Sequence, residues 1–281
     1  MNVLTLNTHA WMEDDPLEKL DRLAERIAAS AYDFICLQEV NQSLAADEAE
    51  DPFFITPEEN RHTVAVKKDN YALLLIQKLR EQGINYYWSW TANHIGYSMY
   101  DEGVALLSLQ PFVAEGHLVS LSTDYEHHYT RKILKAKAER GGKLWTVLSV
   151  HYSWWQSEEG EALFQSEWDK TLDQIGTGEK DHLLIMGDFN NDPSAESEGY
   201  HYVRQTAPYL QDAFLVSEKQ TGEATVEKEI DGWEGHKAHK RIDYVFAGQK
   251  LEIKSYRVVF DGISGPVISD HFGVEAVINE E

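Results

Sequence analysis

The stretch Leu183–Asn190, Leu-Leu-Ile-Met-Gly-Asp-Phe-Asn, runs from an apolar segment directly into two polar side chains. Its first four residues are typical of a short buried strand, and the following glycine marks the strand's end. Alternate side chains of an extended chain point to the same side, so Asp188 and Asn190 are predicted to face one ligand together. Taken alone, Gly-Asp-x-Asn followed by Asp192-Pro193 is equally typical of a turn.

Polar side chains also close two other apolar runs. Asn7 follows Val-Leu-Thr-Leu at 3–6, and Glu39 follows Phe-Ile-Cys-Leu-Gln at 34–38. Carboxylate and amide oxygens are the ligands that a hard divalent cation such as Mg²⁺ prefers, and such a cation needs only one or two protein carboxylates. The segments Arg241-Ile242-Asp243-Tyr244 and Ser269-Asp270-His271 add two acids and an imidazole. Together these positions predict a metal-dependent phosphoesterase site.

Short polar motifs follow one another along nearly the whole chain, from position 7 to position 271. They are Leu6-Asn7-Thr8, Leu37-Gln38-Glu39-Val40, Glu102-Gly103-Val104-Ala105-Leu106-Leu107-Ser108, Val150-His151, Gly187-Asp188-Phe189-Asn190, Arg241-Ile242-Asp243-Tyr244-Val245-Phe246 and Ser269-Asp270-His271. Each alone has an ordinary interpretation as a turn or a capping cluster. In this order they resemble the endonuclease/exonuclease/phosphatase superfamily, the deoxyribonuclease-I-like phosphohydrolases.

The resemblance implies a role for each matching oxygen ligand. Glu39 would be the principal metal ligand, assisted by Asn7, with Asp270 also near the ion. The expected ion is Mg²⁺, with Mn²⁺ as a substitute. Asp188 and Asn190 would position the attacking water and a phosphate oxygen for in-line displacement.

The resemblance also implies two carboxylate–imidazole pairs among the catalytic residues. Asp243 would orient His271, fix its tautomer and raise its pKa, which suits the ring to proton transfer or phosphate binding. Glu102 would do the same for His151. Whether His271 or Asp188 takes the proton of the attacking water is left open by these motifs.

Several further residues are candidates for substrate contact. Tryptophans close to the site are expected on bordering loops, where their indole rings would stack on sugar faces. Large aromatic residues also commonly pack in hydrophobic cores. Arg131, which precedes the strand that ends at His151, would approach the phosphate. His9, which follows Thr8, would contact the phosphate or the metal. The candidates are Trp11, Trp154, Trp155, Arg131 and His9, with a second aromatic cluster at 86–100 as another wall of the cleft.

Charge narrows the class of substrate. The chain has 25 Lys and Arg against 48 Asp and Glu, a formal net charge of −23, and a pI of about 4.8. Nucleic-acid-binding proteins usually carry a basic footprint, and anionic membrane surfaces repel acidic proteins. We therefore expect a small-molecule phosphate ester as the partner, with no nucleic acid and no membrane. No obligate protein partner is evident.

The sequence shows no linker, repeat or low-complexity tract, so a single catalytic domain over 1–281 is expected. Apolar runs predict strands at 3–6, 32–37, 103–109, 144–150, 182–186, 242–247, 256–260 and 273–278. Helices are predicted over 16–30, with Asp15 as N-cap and Leu17 on the apolar face, over 68–82 and over 161–175. The family resemblance implies an α+β fold, a four-layer α/β/β/α sandwich of two packed mixed β-sheets flanked by helices.

Two acidic or charged segments, 47–66 and 217–240, are interpreted as insertions near the substrate cleft. The second contains His236 and His239, which would reach a ligand or lie in solvent. The first strand begins near position 3, which leaves no room for a signal segment, and the single cysteine, Cys36, lies in a predicted buried strand. A cytoplasmic location is therefore expected.

The predicted function is hydrolysis of a small phosphorylated metabolite by a Mg²⁺-dependent phosphomonoesterase. Within the superfamily, Leu6-Asn7-Thr8-His9-Ala10-Trp11 and the tryptophans near the site resemble the bacterial maltose 6′-phosphate phosphatases. The first alternative is a phosphodiesterase acting on nucleic acid or phospholipid, which would share every catalytic residue. The second is a catalytically silent binding protein.

Overall fold

Two seven-stranded β-sheets stack face to face in the computed structural model, which describes residues 1–59, 63–227 and 239–279. Both sheets contain parallel and antiparallel pairs. The strands are β1 (Asn2–Asn7), β2 (Phe34–Ser43), β3 (Glu58–Glu59), β4 (Tyr87–Gly96), β5 (Tyr100–Ser108), β6 (Phe112–Leu118), β7 (Lys132–Arg140), β8 (Lys143–His151), β9 (Leu183–Asp188), β10 (Leu210–Asp212), β11 (Lys219–Thr221), β12 (Asp243–Gly248), β13 (Glu252–Val259) and β14 (Gly273–Asn279).

The first sheet has the strand order β11-β13-β14-β1-β2-β5-β4, and the second has the order β10-β12-β9-β8-β7-β6-β3. Strands β1 and β2 are parallel at the centre of the first sheet, as are β8 and β9 in the second. Five α-helices are formed by the described residues. They are α1 (Pro16–Ser30), α2 (Tyr71–Glu81), α3 (Leu163–Asp173), α4 (Gly199–Thr206) and α5 (Ala213–Val216).

The core has three apolar layers because alternate side chains of each strand face opposite ways. In β1, Val3 points into the layer between the two sheets, whereas Leu4 points toward α1 and α2. In β9, Met186 enters the central layer and Ile185 packs toward α3 and α4. The four-layer α/β/β/α sandwich predicted from the sequence is therefore confirmed.

The long helices lie close to their predicted positions. In α1, Leu20, Leu23 and Ile27 are buried, which secures the helix against the first sheet. Two details of that prediction were wrong. Asp15 occupies the N-cap position with φ 53°, but its side chain makes no capping hydrogen bond. Leu17, expected on the apolar face, lies in the first turn of α1 and is 58% exposed.

Strand β4 was not predicted, since its aromatic run was interpreted as a wall of the substrate cleft. Trp88 and Trp90 are instead fully buried in the apolar layer that also contains residues of α1 and α2. The indole N–H of Trp90 donates to the carbonyl of Val40 at 3.0 Å. These large rings belong to the hydrophobic core, and burial of each stabilises the folded protein by on the order of 2–3 kcal/mol. Only the end of the run, at His94 and Tyr97, reaches the cleft.

The strand order brings polar strand ends from both sheets to one edge of the sandwich. Asn7 ends β1, and His151 and Asp188 end the parallel pair β8 and β9. Asp243 begins β12 directly opposite Asp188 in the antiparallel ladder. Within the described residues, no helix is long and apolar enough to cross a bilayer.

Candidate active site

A cavity of about 220 Å³ opens at the edge where the polar strand ends meet. Acidic, basic and imidazole side chains from both sheets line it, so residues far apart in sequence share one small volume. The predicted site residues that line it are His9, Glu39, Glu102, Arg131, His151, Trp154, Asp188, Asn190, Asp270 and His271. Asn7 and Asp243 lie directly behind them, held by hydrogen bonds to Glu39, Asp188 and His271.

An irregularity in β2 directs Glu39 into this cavity. The pairing of β2 with β5 shifts register between Leu37 and Val40, so Gln38 and Glu39 form a bulge. Glu39 takes the left-handed conformation, with φ 50°, which is unfavourable for a residue other than glycine by about 1–3 kcal/mol. The rest of the sandwich holds this strained turn in place.

Asn7 joins the two sheets at the site. Its amide nitrogen donates to Glu39 Oε1 at 2.8 Å and to Asp188 Oδ2 at 3.1 Å. Its amide oxygen accepts from the backbone N–H of His9 at 3.1 Å and keeps a second lone pair. One buried amide therefore fixes two carboxylates that face the same cavity.

The oxygen atoms here suit a hard divalent cation. Glu39 and Asp270 offer carboxylates, and Asn7 offers an amide oxygen, which is the ligand chemistry of Mg²⁺, Ca²⁺ and Mn²⁺. Burial, followed by the nearby charge of Asp270, raises the pKa of Glu39 above its ordinary value. A cluster of mutually repelling carboxylates in a dry site is unfavourable without a compensating positive charge. The residues present therefore fit a bound metal ion.

Asp243 and His271 form the carboxylate–imidazole pair implied by the family motifs. His271 Nδ1 lies 2.9 Å from Asp243 Oδ2, and both residues are buried. Burial favours the neutral ring, but the charges of Asp243 and Asp188 outweigh it and raise the pKa of His271 well above its ordinary value. His271 is therefore a cation at neutral pH, with Nε2 3.8 Å from Asp188 Oδ2.

Asp188 is the most deeply buried acid at the cavity surface. Burial raises its pKa from 3.8 to about 7, against the opposing charge of His271. The backbone N–H of Asn190 donates to Asp188 Oδ1 at 2.8 Å. Asn190 lines the same cavity, but through a left-handed turn with φ 50° and not through the extended chain that the sequence pattern indicated.

The predicted pairing of Glu102 with His151 is wrong. Glu102 Oε1 lies 3.4 Å from Nε2 of His94, which stands opposite Glu102 across β4 and β5. His151 Nδ1 has no hydrogen-bond partner among the described residues, and its Nε2 lies 3.6 Å from Asp188 Oδ2. Burial and the charge of Arg131 lower the pKa of His151, so this ring is neutral.

Arg131 is buried in the wall of the cavity and belongs to a short chain of contacts. Its Nη1 lies 3.1 Å from Nδ1 of His94, whose other nitrogen faces Glu102. Burial and the charge of Arg131 lower the pKa of His94 to about 3, so the ring is neutral, and its Nδ1 also lies 3.1 Å from the carbonyl oxygen of Thr130. Buried Arg131 Nε has no described partner. This arrangement fixes a guanidinium at the cavity, where it suits an anion.

His9 also lines the cavity, but its first partner is Glu13. His9 Nδ1 lies 2.8 Å from Glu13 Oε1 and 3.8 Å from Asp270 Oδ1. Burial favours the neutral ring, yet the hydrogen bond that the ring donates to Glu13 and the charges of Asp270 and Glu39 raise the pKa of His9 to about 9. Glu13 also accepts from the backbone N–H of Asp270 at 3.0 Å. Sequence reasoning did not identify Glu13.

The three tryptophans occupy different places. Trp154 lines the cavity, and Trp155 lines a second cavity beside it. The prediction for Trp11 needs correction, because Trp11 is not among the described residues that line either cavity. Its indole N–H donates to the carbonyl of Asp69 at 3.0 Å, and its ring packs edge-on against Tyr71. Trp11 is thus a packing residue beside the site.

The two segments interpreted as insertions are only partly described. Residues 60–62 and 228–238 fall outside the described residues, so His236 does too. His239 is exposed and lies 3.2 Å from Glu227. The sequence signal that would have found further cleft residues is the run His127-His128-Tyr129, which ends two positions before Arg131. Of these, His128 lines the cavity.

The family model for the endonuclease/exonuclease/phosphatase family matches residues 2–271. The chain belongs to this family, whose members are metal-dependent phosphoric ester hydrolases. This protein is therefore a hydrolase of phosphate esters, as the sequence motifs predicted. No curated protein matches the chain.

Solved structures support the same fold. An endonuclease/exonuclease/phosphatase family protein from Leptotrichia buccalis is 29% identical with a TM-score of 0.84, over 99% of both chains. A mannosyl-6-phosphatase from Bacteroides thetaiotaomicron is 15% identical with a TM-score of 0.64, over 99% of both chains. Truncated TDP2 from Caenorhabditis elegans is 16% identical with a TM-score of 0.64, over 99% of this chain and 96% of that one.

Proposed function

We propose that this protein is a Mg²⁺-dependent phosphomonoesterase that hydrolyses a small phosphorylated sugar, such as maltose 6′-phosphate. One observation carries the proposal. A cavity of about 220 Å³ holds the carboxylates of Glu39, Asp188 and Asp270 beside the cationic groups of Arg131 and His271. Oxygen ligands for a metal, a proton acceptor for water and two anion-binding cations are the parts that phosphate ester hydrolysis needs.

The metal would be held by Glu39, Asn7 and Asp270. When bound, the ion neutralises the charge of the phosphate group and supports the attack of water. Mn²⁺ prefers similar oxygen ligands and would serve as a substitute. The amide of Asn7 keeps the Glu39 carboxylate oriented before any ion arrives, because their hydrogen bond of 2.8 Å is internal to the protein.

Asp188 is proposed as the group that accepts the proton of the attacking water. Burial raises its pKa to about 7, which is suited to proton transfer near neutral pH. His271 is already protonated under these conditions, and the low pKa of His151 makes that ring a poor acceptor. His271 would instead donate its Nε2–H to a phosphate oxygen, while Asp243 keeps the ring charged and oriented.

Two observations support a sugar phosphate as the substrate. The formal net charge of −23 disfavours polyanions such as nucleic acid and anionic membranes, so a small ester is the proposed partner. The structural neighbour from Bacteroides thetaiotaomicron is a mannosyl-6-phosphatase, although at 15% identity it supports the substrate only by analogy. The cytoplasm is the proposed location, because the single cysteine, Cys36, is a buried free thiol.

The experiment measures phosphate release by the purified protein with Mg²⁺ from mono- and disaccharide phosphates. Parallel reactions with DNA and sphingomyelin are followed by strand cleavage and by release of phosphocholine, because hydrolysis of a diester frees no inorganic phosphate. We expect sugar phosphates to be hydrolysed and EDTA to abolish the activity. Glu39→Gln should raise the half-saturating Mg²⁺ concentration at least about tenfold, whereas the control Glu18→Gln, on an exposed face of α1, should not. Hydrolysis of DNA or lipid with sugar phosphates untouched would overturn the proposed substrate.

A further inference from the structure

A second cavity of about 510 Å³ adjoins the first. The two share His128, Trp154 and Asn190 as lining residues, so they are continuous across these side chains. The volume lies within the range of about 300–1,000 Å³ that is typical of small-molecule sites. None of the catalytic chemistry described above needs this second space. It extends from the phosphate-sized cavity toward solvent along the loops that follow β6 and β8.

Two groups of packed aromatic rings form the wall of this second cavity. The rings of His128 and Tyr129 are 4.1 Å apart, and Tyr129 meets Trp154 edge-on, with centroids 6.3 Å apart and planes at 81°. Trp155 packs against Tyr202 at 5.9 Å and Phe164 at 6.4 Å. Neighbouring rings therefore limit the movement of one another, and the wall presents flat faces in fixed places.

The loop that carries His128 and Tyr129 is held by its own hydrogen bonds. The backbone N–H of Thr130 donates to the carbonyl of His127 at 2.8 Å, and the hydroxyls of Ser122 and Thr130 lie 2.8 Å apart. The backbone N–H of Tyr129 contacts the His127 ring nitrogen at 3.2 Å. This part of the wall is thus preformed, which reduces the entropic cost of binding a ligand.

The charge of the second cavity contrasts with that of the first. Glu158 and Glu198 line it, and no Lys or Arg is among its described lining residues. Glu198 stands at the N-cap of α4 but makes no capping hydrogen bond, so its carboxylate is not used there. The buried indole N–H of Trp154 likewise has no described partner. Acceptors and a donor are thus present without any group that attracts an anion.

We infer that this second cavity is the subsite for the leaving group, and that it selects an uncharged, hydroxyl-rich ring such as the sugar unit attached to the phosphate. The inference rests on the proposed phosphatase function. Flat aromatic faces pack against the C–H faces of a sugar, and carboxylates accept hydrogen bonds from its hydroxyl groups. The same carboxylates repel a second phosphate, so bisphosphates and nucleotides are excluded.

A cationic leaving group such as choline is the competing occupant, since aromatic rings and acids also attract quaternary ammonium. The volume of about 510 Å³ and the hydrogen-bonding groups of Gln156, Glu198 and Trp154 favour the sugar. A quaternary ammonium group has no N–H or O–H to donate and would leave these groups without hydrogen-bond partners. Choline is therefore an outcome that would contradict the inference.

The test compares kcat/KM for maltose 6′-phosphate, glycerol 3-phosphate and phosphocholine with Mg²⁺ present. Tyr129→Ala should lower the preference for maltose 6′-phosphate over glycerol 3-phosphate about tenfold, mainly through KM, because only the larger substrate reaches the subsite. The matched control is Tyr209→Ala, which removes a half-buried tyrosine that packs against Lys180. This control should keep the wild-type preference.

Calorimetric titration with maltose alone separates the subsite from the catalytic proposal. Binding of maltose to the wild type, lost in Tyr129→Ala, supports the subsite even if no phosphate ester is hydrolysed. Hydrolysis of sugar phosphates with an unchanged preference in Tyr129→Ala would overturn the subsite and leave the phosphatase proposal intact. A preference for phosphocholine would also overturn it.

Discussion

At the scale of single residues, the hydrogen bond between Asp243 and His271 determines the charge of the catalytic imidazole. Asp243→Asn removes the negative charge that raises the pKa of His271. The His271 ring should then lose its proton at a lower pH. The descending limb of the kcat–pH profile should therefore move to lower pH. Activity at pH 7 should fall about 100-fold or more. An unchanged profile in a folded variant would contradict the assigned role.

A second prediction at this scale concerns Glu167, which is buried under the catalytic edge. Its carboxylate accepts from the backbone N–H and the hydroxyl of Ser153, both at 2.7 Å. Burial raises the pKa of Glu167 from 4.5 to about 7. The folded protein therefore binds more protons at this site than the unfolded chain between those pH values, and the site's contribution to stability falls as pH rises through this window.

Glu167→Gln should keep the contacts to Ser153 without this titration. Relative to the wild type, the variant should gain about 1–3 kcal/mol in the free energy of unfolding between pH 4.5 and pH 8. Urea denaturation at both pH values measures this difference. The exposed Glu161→Gln is the control and should show no such gain. A pH-independent gap between Glu167→Gln and the wild type would contradict the prediction.

At the scale of secondary structure, Gly187 allows β9 to bring Asp188 against the end of β8. Gly187 has φ +151°, and a Cβ there would lie 1.9 Å from the carbonyl oxygen of Val150. Gly187→Ala should therefore push the two strands apart. We expect a loss of at least about 2 kcal/mol in the free energy of unfolding and a marked loss of activity.

Gly142→Ala is the matched control for this change. Gly142 also has a positive φ of +72°, but nothing lies within 4 Å of the Cβ position. Gly142→Ala should therefore lower the free energy of unfolding by only about 1 kcal/mol, because only the backbone conformation is unfavourable for alanine. Thermal unfolding followed by circular dichroism measures both variants. Equal losses in the two would show that the close approach of β8 to β9 is not the cause.

At the scale of the whole molecule, the formal net charge of −23 sets the response to salt. Several acids cluster at the site, and the surface carries a large excess of like charge, which destabilises the compact state through repulsion. Raising NaCl from 10 to 200 mM shortens the Debye length from about 30 Å to under 10 Å. The melting temperature should rise by roughly 2–4 °C.

EDTA should be present throughout this measurement, so that divalent cations do not add stability by binding at the site. KCl in place of NaCl is the control, since a general screening effect does not depend on the cation. A melting temperature that stays constant or falls with both salts would show that attractive ion pairs outweigh the net repulsion.

Local pattern was sufficient to indicate buried strands and many site positions, whereas the four-layer sandwich was expected from the family resemblance. Runs such as Leu183–Met186 alternate between two buried faces, so the sequence alone indicated strands that are covered on both sides. Asn7, Glu39 and Asp188 were identifiable because each follows an apolar run directly. These strand ends meet at one edge because β1 and β2 run parallel in the first sheet, as β8 and β9 do in the second.

Some partners of the site residues were decided only by the tertiary structure. Glu102 faces His94 and not His151, because β4 and β5 pair so that residues 94 and 102 stand opposite each other. This register between β4 and β5 depends on β4, whose tryptophans pack in the hydrophobic core. Trp11 likewise faces Tyr71, 60 positions away. Strand pairing and burial join residues across long sequence distances, and no local pattern records which of several acids an imidazole will meet.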